Sequence, residues 1–251
     1  MNTNSNICRF AAEHDNWRGL LAEKGIGIKE EDNLAILNYG IPCDFTDPIV
    51  QEARVIIIDT KSLGVVCWPF RKFGNYGEGY TDDIDWGTDR EQEKIDGSIA
   101  KLWHDKNDNL WRWSTNSMID ASEAHVMDKA VSFMELIRRA DNYNDIPYDD
   151  LDRDMTYIFE LVAPEQKIVI RYDYPYLYHI GTRSNITGQE IDLDIGIKKP
   201  AEYPLHSLTE CVRAAEALNA GNDTVKFEGY VVVDANWHRI KVKSPEYVYM
   251  H

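Results

Sequence analysis

Apolar runs of strand length, each bounded by turn-forming residues, dominate this sequence. Ala53–Asp59 and Gly64–Pro69 flank the four residues 60–63, and Ser98–His104 and Leu110–Ser114 flank the polar stretch 105–109. Two apolar runs joined by a short polar turn predict a β-hairpin. Other runs of the same kind predict strands at Asn33–Tyr39, Thr156–Val162, Ile168–Tyr172, Tyr176–Gly181, Val225–Val233 and Trp237–Lys243.

Three segments carry a helical period. Asp15–Lys24 is short and amphipathic, and Ser207–Asn219 is a stronger helix that stops at Gly221. From Asp120 to about Asp141, apolar residues recur at helical spacing, and Asp120 is a suitable N-cap for this helix. That face comprises Ala124, Met127, Ala130, Val131, Met134 and Ile137. Because helices do not alternate regularly with strands, the sequence predicts an α+β fold with mostly antiparallel sheets.

The charge balance is acidic, since 43 Asp and Glu against 27 Lys and Arg give a net charge of −16. Proteins that coat nucleic acid are usually basic, because phosphate neutralisation drives their affinity. The balance therefore argues against a coat protein but leaves room for an enzyme with a small cationic groove. Basic residues cluster at Arg71–Lys72, Lys198–Lys199 and His238–Lys243, and most of the acidic residues are expected on a solvated surface.

Cysteine and histidine patterns give little sign of a metal site. The four cysteines are scattered without a CxxC pair, and the seven histidines show no metal-ligand spacing. Neither a zinc site nor a disulfide framework is indicated. With no signal peptide and no apolar run long enough to span a bilayer, the chain is expected to be soluble and cytoplasmic, with no membrane partner.

The first motif that suggests chemistry is KIDGS at residues 94–98. Lys94 precedes a tight Asp-Gly turn, which can present its amine at the mouth of a pocket. An amine attacks only when it is unprotonated, so such a lysine needs a site that lowers its pKa or removes its proton. Alone, the same five residues also suit an ordinary surface hairpin.

Two glutamates stand in or beside apolar strands. Glu228 precedes Gly229 and the apolar run 230–233, where it suits either a strand bulge or a ligand for a hydrated divalent metal. Glu160 lies within a strand that is otherwise apolar. Burying a glutamate is costly unless it is bonded, and either a ribose hydroxyl or a core arginine would serve as its partner.

Lys241 and Lys243 are two residues apart in a predicted strand, so their side chains point the same way, together with that of Arg239. Like charges side by side are costly unless an anion joins them, and a triphosphate is the natural anion. The alternative is a solvated edge strand whose lysines prevent aggregation.

The order of these motifs resembles the covalent nucleotidyltransferase superfamily of DNA ligases, RNA ligases and mRNA capping enzymes. Within that group, the details are similar to the bacteriophage RNA ligase 1 family. Ser98-Ile99 follows the Asp-Gly turn, where DNA ligases and capping enzymes usually carry an arginine two residues past the glycine. The shared elements are EARVI at 52–56, PFRKFGN at 69–75, FELVAPEQKIV at 159–169 and KVKSPEYV at 241–248.

The resemblance implies a role for each matching residue. Lys94 is the catalytic nucleophile that becomes lysyl-AMP, and Glu228 organises the catalytic metal. Lys241 and Lys243 are catalytic because they bind the α-phosphate and stabilise developing charge. The resemblance also implies that Arg54 and Lys72 contact the ATP phosphates or the nucleotide end, and that Asp96 and Gly97 shape the nucleotide pocket. Glu160 binds the ribose or helps to position the metal. Phe159 either stacks on adenine or belongs to the core.

The resemblance also implies an architecture and a reaction. We expect a nucleotidyltransferase core of two antiparallel sheets flanked by helices, with ATP in the cleft between them, as one domain over residues 1–251. A C-terminal RNA-reading domain is expected to be absent, as in a minimal ligase or a piece of a longer one. The implied reaction is ATP-dependent RNA ligation of 5′-phosphate and 3′-hydroxyl ends. The reaction uses Mg²⁺, with Mn²⁺ as a candidate substitute. The enzyme is expected to be a monomer and, if it comes from a phage, to act in the cytoplasm of the host cell.

Two positions depart from the family pattern. Val55 replaces the usual glycine after the arginine, which is expected to be a mild change. Asn116 stands where a lysine or arginine is expected, which puts one phosphate contact in doubt. Three alternatives stay open: a GTP-using capping enzyme, an RNA 5′-adenylyltransferase that stops at the AMP-capped end, and a non-catalytic nucleotide- or RNA-binding module.

Overall fold

A computed structural model of the chain describes residues 1–126 and 130–251. Its strands are β1 (Ile26–Glu31), β2 (Leu34–Tyr39), β3 (Arg54–Asp59), β4 (Gly64–Cys67), β5 (Arg90–Glu93), β6 (Ser98–Asp105), β7 (Leu110–Ser114), β8 (Met155–Val162), β9 (Tyr176–Ser184), β10 (Glu202–Tyr203), β11 (Gly229–Val233) and β12 (Arg239–Lys243). Its α-helices are α1 (Asn6–Glu13), α2 (Trp17–Glu23), α3 (Pro48–Glu52), α4 (Phe133–Asn144), α5 (Leu208–Ala217) and α6 (Pro245–Met250).

The described strands form three four-stranded antiparallel sheets, where two were expected. Their orders are β1-β2-β3-β4, β7-β6-β8-β9 and β10-β5-β11-β12. The α+β class and both predicted hairpins, β3–β4 and β6–β7, are confirmed. The extra sheet was missed because β1 is a charged edge strand in which only Ile26 is buried, so it lacks the apolar pattern of a strand.

The N-terminal sheet is buried on both faces, which explains its continuous apolar run in β3. Ile56 and Ile58 pack with the helices α1 to α3 on one face. Val55 and Ile57 pack against Trp103 of the neighbouring sheet on the other face. A strand covered on both sides does not alternate between apolar and polar residues.

The other two sheets face each other across a cleft. In β8, Ile158 packs on the cleft side with Phe70 and Ile99, whereas Phe159 packs on the opposite side under α4. Val231 of β11 also packs against the cleft cluster. Since side chains alternate along a strand, each sheet presents one face to the cleft and one to its own helix.

Helix α4 is shorter than the helix predicted from Asp120 to Asp141. It begins at Phe133, after Ser132, whose side chain accepts a hydrogen bond from the Glu135 amide. Asp120 instead caps a 3₁₀ turn at Ala121–Glu123, and Met127 lies outside the described residues. The prediction was wrong for the described residues 121–126 and 130–132, where a 3₁₀ turn and a bridge between residues 125 and 132 are found instead of a helix.

The predicted strand Ile168–Tyr172 is also absent. The amides of Val169 and Ile170 donate to Asp96 Oδ2 at 3.0 and 2.7 Å. These two N–H groups are therefore bonded to a carboxylate that is distant in sequence, and not to the carbonyl groups of a neighbouring strand. Strand β11 starts at Gly229 instead of residue 225 for a similar reason, because Asn219 Oδ1 accepts from the amides of residues 226 and 227.

The predicted helices near residues 15–24 and 207–219 are confirmed as α2 and α5, and Ser207 caps α5. Helices α3 and α6 were not predicted, since each is short and begins with a proline after a capping Asp47 or Ser244. Among the described residues, every helix is too short or too polar to cross a membrane.

Candidate active site

Lys94 lies directly after β5, at one end of the cleft. Its backbone N–H donates to the Gly229 carbonyl at 2.9 Å, which fixes it against β11. Its Nζ lies 3.0 Å from Glu228 Oε1, and Lys243 Nζ lies 3.3 Å from the same oxygen. Glu228 is only 2% exposed, so the two ammonium groups compensate a buried carboxylate. The structure therefore brings together the nucleophile, the metal ligand and one phosphate-binding lysine predicted from the sequence.

The Asp-Gly turn after Lys94 is held by contacts from distant parts of the chain. Asp96 Oδ1 accepts a hydrogen bond from the Tyr247 hydroxyl at 2.7 Å, and Oδ2 accepts the two amides of the 169–170 segment. A Cβ at Gly97 would lie 2.3 Å from the Leu161 carbonyl oxygen. The Asp96 side chain therefore joins α6 to the 169–170 segment, and Gly97 allows β8 to approach.

The basic side chains of β12 share one face, as predicted. Val231 pairs with Lys241 and Gly229 with Lys243 in the β11–β12 register, and Lys241 lines the cleft together with Arg239. Arg239 is already paired, because both of its terminal nitrogens lie 2.8 Å from the Glu190 carboxylate. The charge available to an anion in this strand is therefore that of the two lysines.

Lys241 has an unfavourable electrostatic environment. Burial, together with the charges of Arg54, Lys72, Lys94 and Lys243, lowers the pKa of its ammonium group to about 7. A cluster of cations that suppress each other's ionisation is stabilised by a polyanion. The site is therefore built to receive phosphate groups.

Glu160 lies across the cleft from these cations. Burial is the largest cause that raises the pKa of its carboxyl group to about 7, and Glu228 acts in the same direction, whereas Lys94 and Arg54 favour the charged form. A pair of carboxylates that repel each other offers the oxygen ligands that a hard divalent cation prefers. Glu160 and Glu228 are therefore the carboxylates of the cleft that could hold a magnesium or manganese ion.

Arg54 reaches the cleft from the N-terminal sheet. Its guanidinium carbon lies 5.3 Å from the centre of the Phe73 ring, and burial lowers the pKa of the group. Within the described residues, its buried Nη1 has no hydrogen-bond partner. Buried donors are nearly always paired in folded proteins, so this nitrogen is placed to bind an oxygen of a ligand.

Lys72 lies beside the cleft in an aromatic cage. Its Nζ is 5.4, 5.1 and 5.8 Å from the ring centres of Tyr39, Phe45 and Tyr80, within the range of cation–π attraction. It does not line the cavity that contains Lys94. Its charge still acts on Lys241, so it belongs to the edge of the cationic cluster.

Phe159 lies away from the nucleotide cleft. It is fully buried, and its ring centre is 5.4 Å from those of Trp113 and His179. Because Glu160 faces the cleft, its neighbour in the strand faces the other way. Stacking on adenine is therefore contradicted for Phe159, and its alternative place in the core is confirmed.

An apolar wall of the cleft was not recognised in the sequence. Phe70, Phe73, Ile180 and Val231 line the cavity that contains Lys94, and apolar side chains of this kind are common in small-ligand sites. Phe70 and Phe73 belong to the 69–75 element, but no periodicity in that irregular segment shows which of its side chains face inward.

The two departures from the family pattern differ in importance. Asn116 is exposed and lines a separate hollow with Ser98 and Thr115. Val55 has a φ of +60°, in the left-handed region that favours glycine and is costly for a β-branched residue. The expectation of a mild change was therefore wrong. Lys101, which is fully buried, donates to the Val55 carbonyl at 2.6 Å and helps to hold this conformation.

The chain has the nucleotidyltransferase fold, and its cleft contains the lysine and glutamate side chains that the sequence motifs indicated. The chain matches an archaeal ATP-dependent RNA ligase with a TM-score of 0.59 and 11% identity over 93% of this chain and 62% of that one, a likeness that shows the fold. An RNA ligase family model matches residues 52–247, and the chain therefore belongs to the RNA ligase family, the family that its motifs indicated.

Two relatives give the scale of the match. A protein of Autographa californica nuclear polyhedrosis virus, named as a candidate bifunctional polynucleotide kinase/RNA ligase, is 30% identical over 88% of this chain and 34% of its own length. An RNA ligase of Rhodothermus phage RM378 is 24% identical over 92% of this chain and 67% of its own length. The chain thus spans about a third of the viral relative and two thirds of the phage relative.

Proposed function

We propose that this chain is the adenylylating part of an ATP-dependent RNA ligase that stores AMP on Lys94. The observation that carries the proposal is the contact of Lys94 Nζ and Lys243 Nζ with one buried oxygen of Glu228. Lys94 and Lys243 share the carboxylate of Glu228 inside a cation-rich cleft. This arrangement suits attack of the Lys94 amine on a phosphate.

In the first step, Lys94 Nζ attacks the α-phosphorus of ATP. A nitrogen–phosphorus bond forms, the bond to the bridging oxygen breaks, and pyrophosphate leaves. Glu228 Oε1, 3.0 Å from Nζ, is placed to take the proton that the amine loses. Lys241 and Lys243 neutralise charge on the phosphate oxygens, which is the main way that phosphoryl-type transfer is accelerated.

In the second step, an oxygen of an RNA 5′-phosphate attacks the same phosphorus, and the bond to Lys94 breaks. The RNA end then carries AMP through a pyrophosphate linkage. In the third step, the 3′-hydroxyl of the other end attacks the 5′-phosphate, the RNA is joined and AMP leaves. The apolar wall around Phe70 and Phe73 would hold the adenine base through the first two steps, and Arg54 would bind a phosphate oxygen.

Glu160 and Glu228 are the residues that would hold a Mg²⁺ or Mn²⁺ ion. The chemistry that such an ion supplies is neutralisation of phosphate charge and orientation of the leaving group. Cations of the protein flank each carboxylate: Lys94 and Lys243 lie beside Glu228, and Lys94 and Arg54 favour the charged form of Glu160, which is the form that binds a metal ion.

A covalent-adduct assay tests the proposal. The purified chain is weighed by intact mass spectrometry, treated with pyrophosphate and Mg²⁺ to remove any AMP already bound, and then incubated with ATP and Mg²⁺. We expect a gain of one AMP in the wild type and none in Lys94→Ala. Lys106→Ala is the matched control, because Lys106 is an exposed lysine in the β6–β7 turn and its loss should leave the adduct intact.

The acceptor is identified by adding a 5′-phosphorylated RNA to the adduct. Joined product supports the full ligase, and an AMP-capped RNA that is never joined supports the 5′-adenylyltransferase. An adduct with GTP alone would indicate a capping-type enzyme. The absence of an adduct with either nucleotide, in a folded and AMP-free protein, would overturn the proposal in favour of a binding module.

We further propose that residues 1–251 work as one nucleotidyltransferase unit, as a monomer, on RNA with 5′-phosphate and 3′-hydroxyl ends in the cytoplasm of an infected host. Viral and phage relatives support the setting. The four cysteines are free, which suits a reducing compartment. Light scattering during gel filtration tests the monomer, and a stable dimer would contradict it.

A further inference from the structure

A second group of ligand-forming side chains lies outside the cleft. Asp89 precedes β5, Glu91 lies within it, and His206 lies just before α5. These three residues offer ligand atoms that all lie within 4.8 Å of one another. Glu91 pairs with Val232 in the register, and Val232 packs under α5. The group is therefore on the sheet face turned away from Lys94.

The two carboxylates converge on one atom. His206 Nδ1 lies 3.2 Å from Asp89 Oδ2 and 3.9 Å from Glu91 Oε2. Ligand atoms placed about 2.1 Å from a tetrahedral zinc ion are roughly 3.4 Å apart, so the observed spacing needs little adjustment. A single Nδ1–H satisfies one carboxylate well and leaves the other without a comparable donor.

Glu91 supplies an independent sign that a cation is missing. Its side chain is fully buried, and among the described residues its Oε1 has no hydrogen-bond partner. Its Oε2 receives a long hydrogen bond of 3.4 Å from the Leu205 amide, and the Asp89 side chain and the His206 backbone also bond to the carboxyl group. A buried carboxylate beside another carboxylate is costly unless a cation or a proton lies between them.

We propose that Asp89, Glu91 and His206 bind a divalent transition-metal ion of the zinc type, at a structural site behind the catalytic lysine. Two carboxylates and one imidazole form a ligand set that suits such an ion, and the exposed His206 provides its entry path. The ion would tie the start of β5 to the loop before α5, and β5 leads directly to Lys94.

Metal binding is tested on the full chain after treatment with EDTA and buffer exchange. Co²⁺ is titrated at neutral pH and followed by its visible absorption, and Zn²⁺ is then added in competition. We expect one ion per chain and a rise in Tm of roughly 5 °C at saturating Zn²⁺. His206→Ala should weaken binding at least about tenfold and remove the rise in Tm.

His238→Ala is the matched control, because His238 also faces a carboxylate, that of Asp234 at 3.4 Å, but has no third ligand nearby. It should bind Co²⁺ as the wild type does. Equal binding by wild type and His206→Ala, or no binding by the wild type, would overturn the proposal. A Glu91→Gln variant as stable as the wild type, with no metal bound by either, would show that a shared proton occupies the site. The same titration in Lys94→Ala keeps this result separate from adenylylation.

Discussion

Replacing Lys241 by methionine should make the folded protein more stable while abolishing adenylylation. Lys241 is buried among cations, and no carboxylate partner within bonding distance offsets its charge in the described residues. Methionine keeps the length of the side chain and removes the charge. The cleft cluster around Phe73, whose ring centre lies 5.0 Å from Lys241 Nζ, can accommodate an apolar group.

The magnitude follows from the pKa of the lysine. A lowering from 10.5 to about 7 corresponds to about 5 kcal/mol of unfavourable interaction in the charged form. Part of this is recovered in the wild type by water and by movement of neighbouring side chains. We therefore expect Lys241→Met to raise the free energy of unfolding by about 2–4 kcal/mol at pH 6.

The pH dependence has a definite sign. Because the folded-state pKa lies below the unfolded-state pKa, the penalty is fully present below pH 7, where the lysine is charged in both states. As the pH rises above 7, the folded state loses its proton while the unfolded state keeps it. The difference between variant and wild type should then shrink by about 1.4 kcal/mol per pH unit until about pH 10.

Urea unfolding of AMP-free protein at pH 6 and pH 9 measures the difference at both ends. Lys106→Met is the control, because Lys106 is 73% exposed and its replacement should change stability little at either pH. A Lys241→Met variant less stable than the wild type at pH 6, or a difference that stays constant up to pH 9, would refute the electrostatic reasoning. Intact mass spectrometry with ATP measures the loss of the adduct.

Three further predictions concern the surroundings of the site. Gly97→Ala places a Cβ 2.3 Å from the Leu161 carbonyl oxygen, so it should lower the free energy of unfolding by about 1–3 kcal/mol and reduce the yield of AMP adduct in the mass assay. Tyr247→Phe removes the hydrogen bond to Asp96 and should lower the free energy of unfolding by about 1–3 kcal/mol, measured by urea unfolding. An unchanged unfolding midpoint would contradict a stabilising role of this hydrogen bond. Val55→Gly should be more stable than Val55→Ala by about 1 kcal/mol, the reverse of the usual order in a strand, because φ at residue 55 is +60°; the two variants are compared by thermal unfolding.

Much of the fold could be predicted because apolar strands such as β3 and β8 carry their burial pattern in the sequence. The chain also defined the face shared by Lys241 and Lys243, since alternation in a strand is a local property. Two failures, the segments 168–172 and 225–228, have a backbone that side chains outside the segment satisfy, whereas α4 was predicted too long because its local caps were not recognised. Residues 169 and 170 donate to Asp96, which is more than 70 positions earlier, and no local pattern contains that contact.

The site residues could be predicted where a sequence motif identifies them. They were harder to predict where the packing of the fold determines which side chains face the cleft. Lys94 and Glu228 were recognised by their neighbours in sequence, and the fold brings their side chains within 3.0 Å. Phe159 was proposed because it directly precedes Glu160, yet Phe70 and Phe73 are the phenylalanines that line the cleft. An aromatic residue in a strand can serve either face, and only the three-dimensional packing of β8 distinguishes them.

The acidic net charge of the chain and the cations of its cleft act together on the binding of anions. A net charge of −16 repels polynucleotides from most of the surface, so phosphate is attracted mainly where the local sign is reversed. In that place, Lys241 is held at an energetic cost by the cations around it. Under the proposed function, phosphate binding would relieve that cost, and the attraction for ATP and for RNA ends would be greatest beside Lys94. If this is correct, neutralising exposed acidic residues should increase binding to RNA of any sequence without increasing the yield of AMP adduct.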